Sequence, residues 1–426
     1  MYSSKKDLKH NLFLFFIDGV SFTPAMTLIS VSAVIPYFLV QIGATTFQIG
    51  LAASVALVCT FVAQPFFGYV ATHSKVMNKT FGKILLLQRL IFLAFVLCIP
   101  VFVKTGVMLV WIFLFFWGLF HIFVGSYSVF YAPLVLTLLP PDKRGAIRGM
   151  GHATGCALGL GIAALIPVLL GRISFPYNYT LVFFLGSLFL IINAFVFLFM
   201  RQHDAVVLNI PLSISQYLKE MLFSVRRSAP FRAMILTCMF LVTANSLLPY
   251  YTLYAIRVFS AAEYHIAILT ALAVLSNAFA HILFGSVLDR RGPKPALVLA
   301  IIFVISAGVL ALFTNSISFL FIAWASANIG NIGYMMSSAL LIGEVSPSGK
   351  LPLYVGVQNT ISLILSSAVL LLLAPVLESV GFMLLFAVVL GCGFISVLIY
   401  IFIFRKFSAP AAKLPENVNH QMQKEI

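Results

Sequence analysis

Apolar residues fill most of the chain in long runs that charged residues or Pro/Gly turns interrupt. Runs such as Ile84–Val103 and Leu181–Met200 reach the ~20 residues that an α-helix needs to cross the hydrocarbon of a bilayer. They are apolar on every side, whereas a β-barrel strand alternates, so they predict helices. Dividing the chain at its turns predicts twelve spans, numbered 1 to 12, at 12–39, 46–71, 82–104, 107–139, 146–170, 179–200, 231–258, 264–288, 295–313, 318–343, 353–377 and 381–405.

Composition supports a membrane protein. The chain is 62% hydrophobic and 9% charged, whereas soluble domains are roughly 45–50% apolar and about 25% charged. A net charge of +15 could indicate a nucleic-acid partner, but the basic residues lie singly or in small clusters between the apolar runs. Only Lys104, Arg172 and Arg257 fall on one side of the predicted bilayer, and Arg89 lies inside span 3. The positive-inside rule therefore places both termini in the cytoplasm, and we expect no nucleic acid.

The spans divide six and six around the longest polar stretch. We predict an N-terminal bundle at 1–200, a cytoplasmic linker with some amphipathic helix at 201–230, a C-terminal bundle at 231–406 and a tail at 407–426. The halves share local patterns: Pro36-Tyr37 in span 1 matches Pro249-Tyr250 in span 7, and both occupy the same place in their half. The predicted fold class is an all-α membrane protein with two pseudo-symmetric six-helix bundles.

The loop after span 8 carries a motif. The stretch Gly285-Ser-Val-Leu-Asp289-Arg290-Arg291-Gly292-Pro-Lys294 resembles the G-x-x-x-D-R-x-G-x-K signature of the major facilitator superfamily (MFS), as found in bacterial transporters. The corresponding first-half loop departs from that pattern, since Thr72 stands where the family usually has aspartate. Glu344 resembles the family's acidic partner for the loop arginines. The resemblance implies an inner gate, against the alternative of separately solvated charges, built from Gly285, Asp289, Arg290, Arg291, Gly292, Lys294 and Glu344.

The same resemblance implies that spans 1, 4, 7 and 10 line a central cavity. Polar groups at mid-depth cost free energy unless they face a bundle interior or water, so they are the candidates for contact with a substrate. Hydrogen bonding between helices is the alternative role for each of them. The candidates for the cavity are Thr23, Thr27, His121, Asn245, Tyr250, Asn277, Asn328 and Asn331.

Two residues are candidates for proton coupling. Asp18 is the carboxylate buried well within a span, and such a group can take up and release a proton. The competing role is a structural ion pair with Arg89, at similar depth in span 3. His121 is the second candidate, because histidine titrates near physiological pH, although a buried histidine can also be purely structural.

Span 5 contains Gly151, Gly155 and Gly159 at four-residue spacing, which permits close contact between helices. The resemblance implies that span 5 packs against the opposite half, where this ridge would slide during alternating access. Static packing is the alternative.

These patterns favour a secondary active transporter of a small neutral or amphipathic solute, proton-coupled and working by alternating access. The central region shows no arginine or lysine for a strongly anionic substrate, and the aromatic content favours export. Uptake of a sugar or other nutrient is the alternative, and a non-transporting membrane protein or a membrane enzyme is a more remote one. The sequence holds no Walker, H-E-x-x-H or G-x-S-x-G motif. We expect no cofactor or metal, and a monomer in the plasma (inner) membrane.

Overall fold

The computed structural model describes residues 5–140, 143–202, 214–346 and 351–402. In this part of the chain almost every residue is helical, and a single-turn 3₁₀ helix covers Val103–Thr105. The helices are α1 (Lys5–Leu28), α2 (Val34–Gln41), α3 (Thr46–His73), α4 (Met77–Phe102), α5 (Val107–Val124), α6 (Tyr127–Leu138), α7 (Arg144–Arg172), α8 (Tyr177–Phe199), α9 (Ile214–Arg227), α10 (Ala229–Ser246), α11 (Leu248–Phe259), α12 (Glu263–Arg291), α13 (Pro293–Leu312), α14 (Ile317–Val345), α15 (Leu351–Val380) and α16 (Met383–Phe402).

Twelve spans account for all of these helices except α9. Eleven helical stretches in the described residues are long and apolar enough to cross a membrane. The twelfth span is α14, whose 29 residues are long enough but include polar groups such as Asn328 and Asn331 that lower its hydropathy. The predicted fold class is thus confirmed. The predicted domain boundaries remain predictions.

Three spans are broken: span 4 between α5 and α6, and spans 1 and 7 at equivalent places in the two halves. Span 1 is interrupted between α1 and α2, just before Pro36, and span 7 between α10 and α11, just before Pro249. Proline lacks an N–H group and cannot continue the hydrogen-bond ladder of a helix. At the first break the Ser30 hydroxyl compensates by accepting the Ala33 N–H at 3.2 Å. Pro24, by contrast, lies inside α1 without ending it.

The two halves meet along two helix pairs and at one end. α3 packs against α15 and α7 against α12, while α2 contacts α11 and α12 at the end of the molecule remote from the linker. At that end the Thr252 hydroxyl donates to the Ser32 carbonyl at 2.6 Å, and Tyr37 interacts electrostatically with Glu263. The structure is therefore closed on the side that the charge pattern assigns to the exterior.

The expected packing of span 5 against the opposite half is present, since α7 contacts α12. The glycine ridge of α7 lies mainly against α1 of the same half, and of its three glycines Gly159 also faces α12, where an added Cβ would lie 3.7 Å from Val274. A Cβ added at Gly19 would lie 2.6 Å from the Gly151 carbonyl carbon, and one at Gly151 would lie 2.7 Å from the Phe16 carbonyl oxygen. Gly155 lies against the Gly19 carbonyl oxygen in the same way. Backbones this close leave no room for a side chain, so the ridge fixes α7 onto α1.

The linker contains the amphipathic helix that was predicted there. In α9, Met221 is buried and Val225 partly buried, whereas Lys219, Arg226 and Arg227 are exposed. The helix packs against α3, α10 and α15. It therefore contacts both halves.

We predict that Gly151→Val destabilises the protein by about 1–3 kcal/mol, because the new side chain must displace the α1 backbone. Gly161→Val is the matched control on the same helix, since a Cβ at Gly161 meets no atom within 4 Å. Thermal unfolding of the detergent-solubilised variants measures the difference. Equal melting temperatures for the two variants would show that α1 and α7 are not in close contact.

Candidate functional site

A buried polar network surrounds Asp18 in the N-terminal half. Asp18 on α1 is only 2% exposed. Its Oδ1 accepts a hydrogen bond from Asn193 Nδ2 of α8 at 2.7 Å, and its Oδ2 accepts one from the Tyr131 hydroxyl of α6 at 3.0 Å. A carboxylate at membrane depth requires such partners, because neither lipid nor bulk water supplies them there.

Arg89 joins this network through Asn193 and makes no direct ion pair with Asp18. Its guanidinium on α4 is 3% exposed and donates from Nη2 to Asn193 Oδ1 at 3.3 Å and from Nη1 to the neighbouring Gln88 Oε1. The Asn193 amide thus donates a hydrogen bond to Asp18 and accepts one from Arg89. The alternative role for Asp18, a direct ion pair with Arg89, is not formed, and Asn193 bridges the two side chains instead. In the sequence, the single Asn193 inside span 6 is the signal that points to this bridge.

Arg148 is a second cation next to the network. It lies in the second turn of α7, near the start of predicted span 5. Its Cζ is 5.3 Å from the centre of the Tyr131 ring, and it interacts electrostatically with Tyr131 and Asp18. The expectation of a central region without arginine is therefore wrong, because Arg89 and Arg148 both lie near Asp18.

His121 lies in a different place from Asp18. Its Nδ1 is 3.3 Å from the Thr60 hydroxyl of α3, and its ring packs edge-on against Trp117 with centroids 4.5 Å apart. Its Nε2 is buried and has no hydrogen-bond partner in the described chain. The two candidates for proton coupling are thus separate groups with different surroundings.

Several of the candidate cavity residues are occupied by contacts within the protein. The Thr23 hydroxyl donates to the Gly19 carbonyl at 3.2 Å and the Thr27 hydroxyl to the Thr23 carbonyl at 3.0 Å. Both side chains also face the glycines of α7. Asn328 Nδ2 donates to the Trp324 carbonyl at 2.9 Å. These bonds lie within single helices.

Tyr250 lies at the boundary of the two halves. It is fully buried, and its hydroxyl donates to the Leu370 carbonyl of α15 at 3.1 Å. The same hydroxyl lies directly over Gly50 of α3, in the space that a Cβ would take. Tyr250 is therefore a packing contact in the conformation seen here.

Three amides of the C-terminal half have side-chain groups without a hydrogen-bond partner in the described chain. Asn245 Nδ2 on α10 is buried without a hydrogen-bond partner in the described chain. Asn277 on α12 and Asn331 on α14 are partly exposed, and neither makes a side-chain hydrogen bond to the described residues. Asn331 lies on α14, and the helices of Asn245 and Asn277, α10 and α12, both pack against α14. Unsatisfied amides at this depth need water or a ligand as partner.

The residues of the proposed inner gate lie at the junction of α12, α13 and α14. Gly292 has φ 82° and ends α12, a conformation that other residues adopt only with strain. Lys294 Nζ is 4.0 Å from Glu344 Oε2. Asp289, Arg290 and Arg291 are exposed, and they form no ion pair within the described ranges. Gly285 has open space around it and makes no close helix contact.

An arrangement of twelve spans in two halves, with polar groups at mid-depth, is that of a membrane transporter with alternating access. The chain belongs to the Major Facilitator Superfamily, whose family profile matches residues 12–361. Its fold is similar to the crystal structure of a bacterial homologue of the human lysosomal transporter Spinster, solved in an inward-facing and unoccupied conformation. The two are 16% identical, with a TM-score of 0.63, and the match covers 96% of this chain and 100% of that one. No curated protein matches the sequence.

We predict that Tyr131→Phe destabilises the protein by about 1.5–3 kcal/mol, because it removes a hydrogen bond to a buried carboxylate and leaves the ring in place. Tyr179→Phe is the control, since the buried Tyr179 hydroxyl has no partner among the described residues and its loss should cost nothing. Thermal unfolding in detergent measures both. A Tyr131→Phe protein as stable as Tyr179→Phe would contradict the network.

Proposed function

We propose that the protein is a proton-coupled secondary transporter of a small amphipathic solute, with Asp18 as the group that carries the proton. The observation that carries the proposal is the hydrogen bonding of Asp18, which is held by the neutral donors Asn193 and Tyr131. No direct ion pair with Arg89 holds Asp18 in its charged form. Asp18 can therefore gain a proton while the Arg89 guanidinium keeps Asn193 as a hydrogen-bond acceptor.

Protonation of Asp18 would change the packing of three helices. A charged carboxylate accepts from both neighbours, whereas a protonated one has an O–H that must itself donate. The Tyr131 hydroxyl or the Asn193 amide must then change its role. These groups lie on α6 and α8, so a proton on α1 alters the contacts among helices of the N-terminal half.

Solute recognition in this proposal falls on the opposite half. Asn245, Asn277 and Asn331 offer amide donors and acceptors that no described residue satisfies. A solute bound between the halves would contact the amides on one side and the network of Asp18 on the other. Linkage between the two sites then couples solute binding to proton binding.

The remaining features of the proposal come from the sequence. We place the protein in the plasma (inner) membrane with both termini in the cytoplasm, because its basic residues are strongly biased to one side. We propose a monomer as the functional unit. Export rather than uptake remains a prediction.

We predict that Asp18→Asn abolishes accumulation driven by a pH gradient while solute exchange continues, because asparagine cannot take up a proton at this position. Proteoliposomes loaded with the radiolabelled amphipathic compound that the wild type accumulates would measure both. Asp7→Asn is the control on the same helix, since Asp7 pairs with Arg201 at 2.9 Å near the surface and lies outside the network. Proton-driven accumulation by Asp18→Asn would remove Asp18 from the mechanism.

We predict that Asn331→Ala raises the half-saturating solute concentration about tenfold, the effect of losing one good hydrogen bond of ~1.4 kcal/mol. Asn328→Ala on the same helix should leave this concentration unchanged, because its amide is bonded to the Trp324 carbonyl. The assay is initial-rate transport into proteoliposomes. Equal effects of the two substitutions would exclude Asn331 from solute binding.

A further inference from the structure

We infer that the transported solute carries a single oxyanion group, a carboxylate or a phosphate, and that Arg148 binds it where the two halves meet. The inference rests on the proposed function and names the chemical class of its solute. It follows from the charges, the unpaired donor and the position of the groups around Arg148.

The cluster around Asp18 has an excess of positive charge. Arg89 and Arg148 both interact electrostatically with Asp18, which is the carboxylate in this group. Asp18 is already held by Asn193 and Tyr131. Among the residues that the structure describes, one cation in the cluster therefore lacks an anionic partner.

Arg148 is the cation that remains available. Arg89 is sealed in the bundle at 3% exposure, with Asn193 and Gln88 as acceptors. Arg148 is only partly buried, and its Nε is shielded from solvent with no hydrogen-bond partner in the described chain. Guanidinium N–H groups match carboxylate and phosphate oxygens in pairs, so an oxyanion is the ligand that this group fits best.

Two histidines add donors beside Arg148 from both halves. The rings of His152 on α7 and His281 on α12 lie parallel, with centroids 6.3 Å apart and planes at 16°. Both interact electrostatically with Arg148. Both imidazole rings therefore have the same charged neighbour, the Arg148 guanidinium. Each neutral imidazole can donate one N–H, so the two rings can add donors to those of the guanidinium when an oxyanion binds.

The position of this cluster gives the bound group a role in transport. His152 belongs to the N-terminal half and His281 to the C-terminal half, on the helix pair α7 and α12 that joins them. An oxyanion bound by Arg148 and both histidines would touch the two halves at once. Its arrival or departure would change how strongly the halves hold together on this side.

Binding to the full-length protein in dodecyl maltoside tests the inference, with decyl phosphate and decanoate as anionic probes and decanol as the neutral one. We expect both anions to bind in a salt-sensitive manner and decanol to bind at least about tenfold more weakly. Arg148→Gln should weaken binding of decyl phosphate by a factor of about ten or more. Arg148→Lys, which keeps the charge but loses the paired geometry, should retain part of it.

Arg172→Gln is the matched control, since Arg172 lies exposed at the other end of α7 and should bind decyl phosphate as the wild type does. Size-exclusion profiles and melting temperatures verify that the variants are folded, and His281→Gln gives an independent weakening should Arg148→Gln fail to fold. Inorganic phosphate added as competitor distinguishes a free oxyanion, which would displace decyl phosphate, from an oxyanion that needs its apolar tail. Displacement and lack of displacement by inorganic phosphate are both consistent with Arg148 as the residue that binds the oxyanion.

Unchanged binding of decyl phosphate by the folded Arg148→Gln protein, or equal affinity for decanol, would overturn the inference. Binding in detergent needs no proton gradient. A failure of proton coupling and a failure of the oxyanion site are therefore measured separately.

Discussion

Every polar group at the depth of the hydrocarbon must be satisfied by another part of the protein, by water or by a ligand, because lipid offers it nothing. This constraint shapes the backbone as well as the side chains of this transporter. It explains why Ser30 caps the Ala33 N–H at the break before Pro36. It also explains why the acid Asp18 and the base Arg89 share a single amide, that of Asn193.

The same constraint separates polar groups that are bonded within the bundle from polar groups that have no partner in the described chain. Thr23, Thr27 and Asn328 return their hydrogen bonds to their own helices, so they add little that a solute could use. The free amides of the C-terminal half and the free Nε of Arg148 have no such partner in the described residues. A polar atom that stays unpaired in the protein is costly, and a carrier can use that cost to favour binding of its solute.

Alternating access needs firm halves and a variable junction between them. Within the N-terminal half, the direct backbone contact of Gly19 with Gly151 holds α1 and α7 together. Between the halves the contacts are of another kind: Thr252 with Ser32 at one end, and the rings of His152 and His281 along α7 and α12. Side-chain contacts of this type can be exchanged without unpacking a bundle, which suits rigid-body rocking of one half against the other.

The sequence by itself determined the features that depend on local chemistry. Span length and apolar composition are properties of contiguous residues, so the twelve spans were predictable. The same holds for the loop motif from Gly285 to Lys294. Even α14, which falls outside the eleven most apolar stretches, was predictable because its polar residues are interspersed among apolar ones.

Only the tertiary structure decided which polar groups meet. Asn193 and Arg148 are far from Asp18 along the chain, and nothing in their local sequence marks them as its neighbours. The glycines of α7 predicted a close helix contact, but the choice of α1 as partner depends on how the helices rotate about their axes. Which hydrogen bonds form between helices depends on that rotation and on the depth of each residue in the bilayer. Neither can be predicted from the composition of a single span.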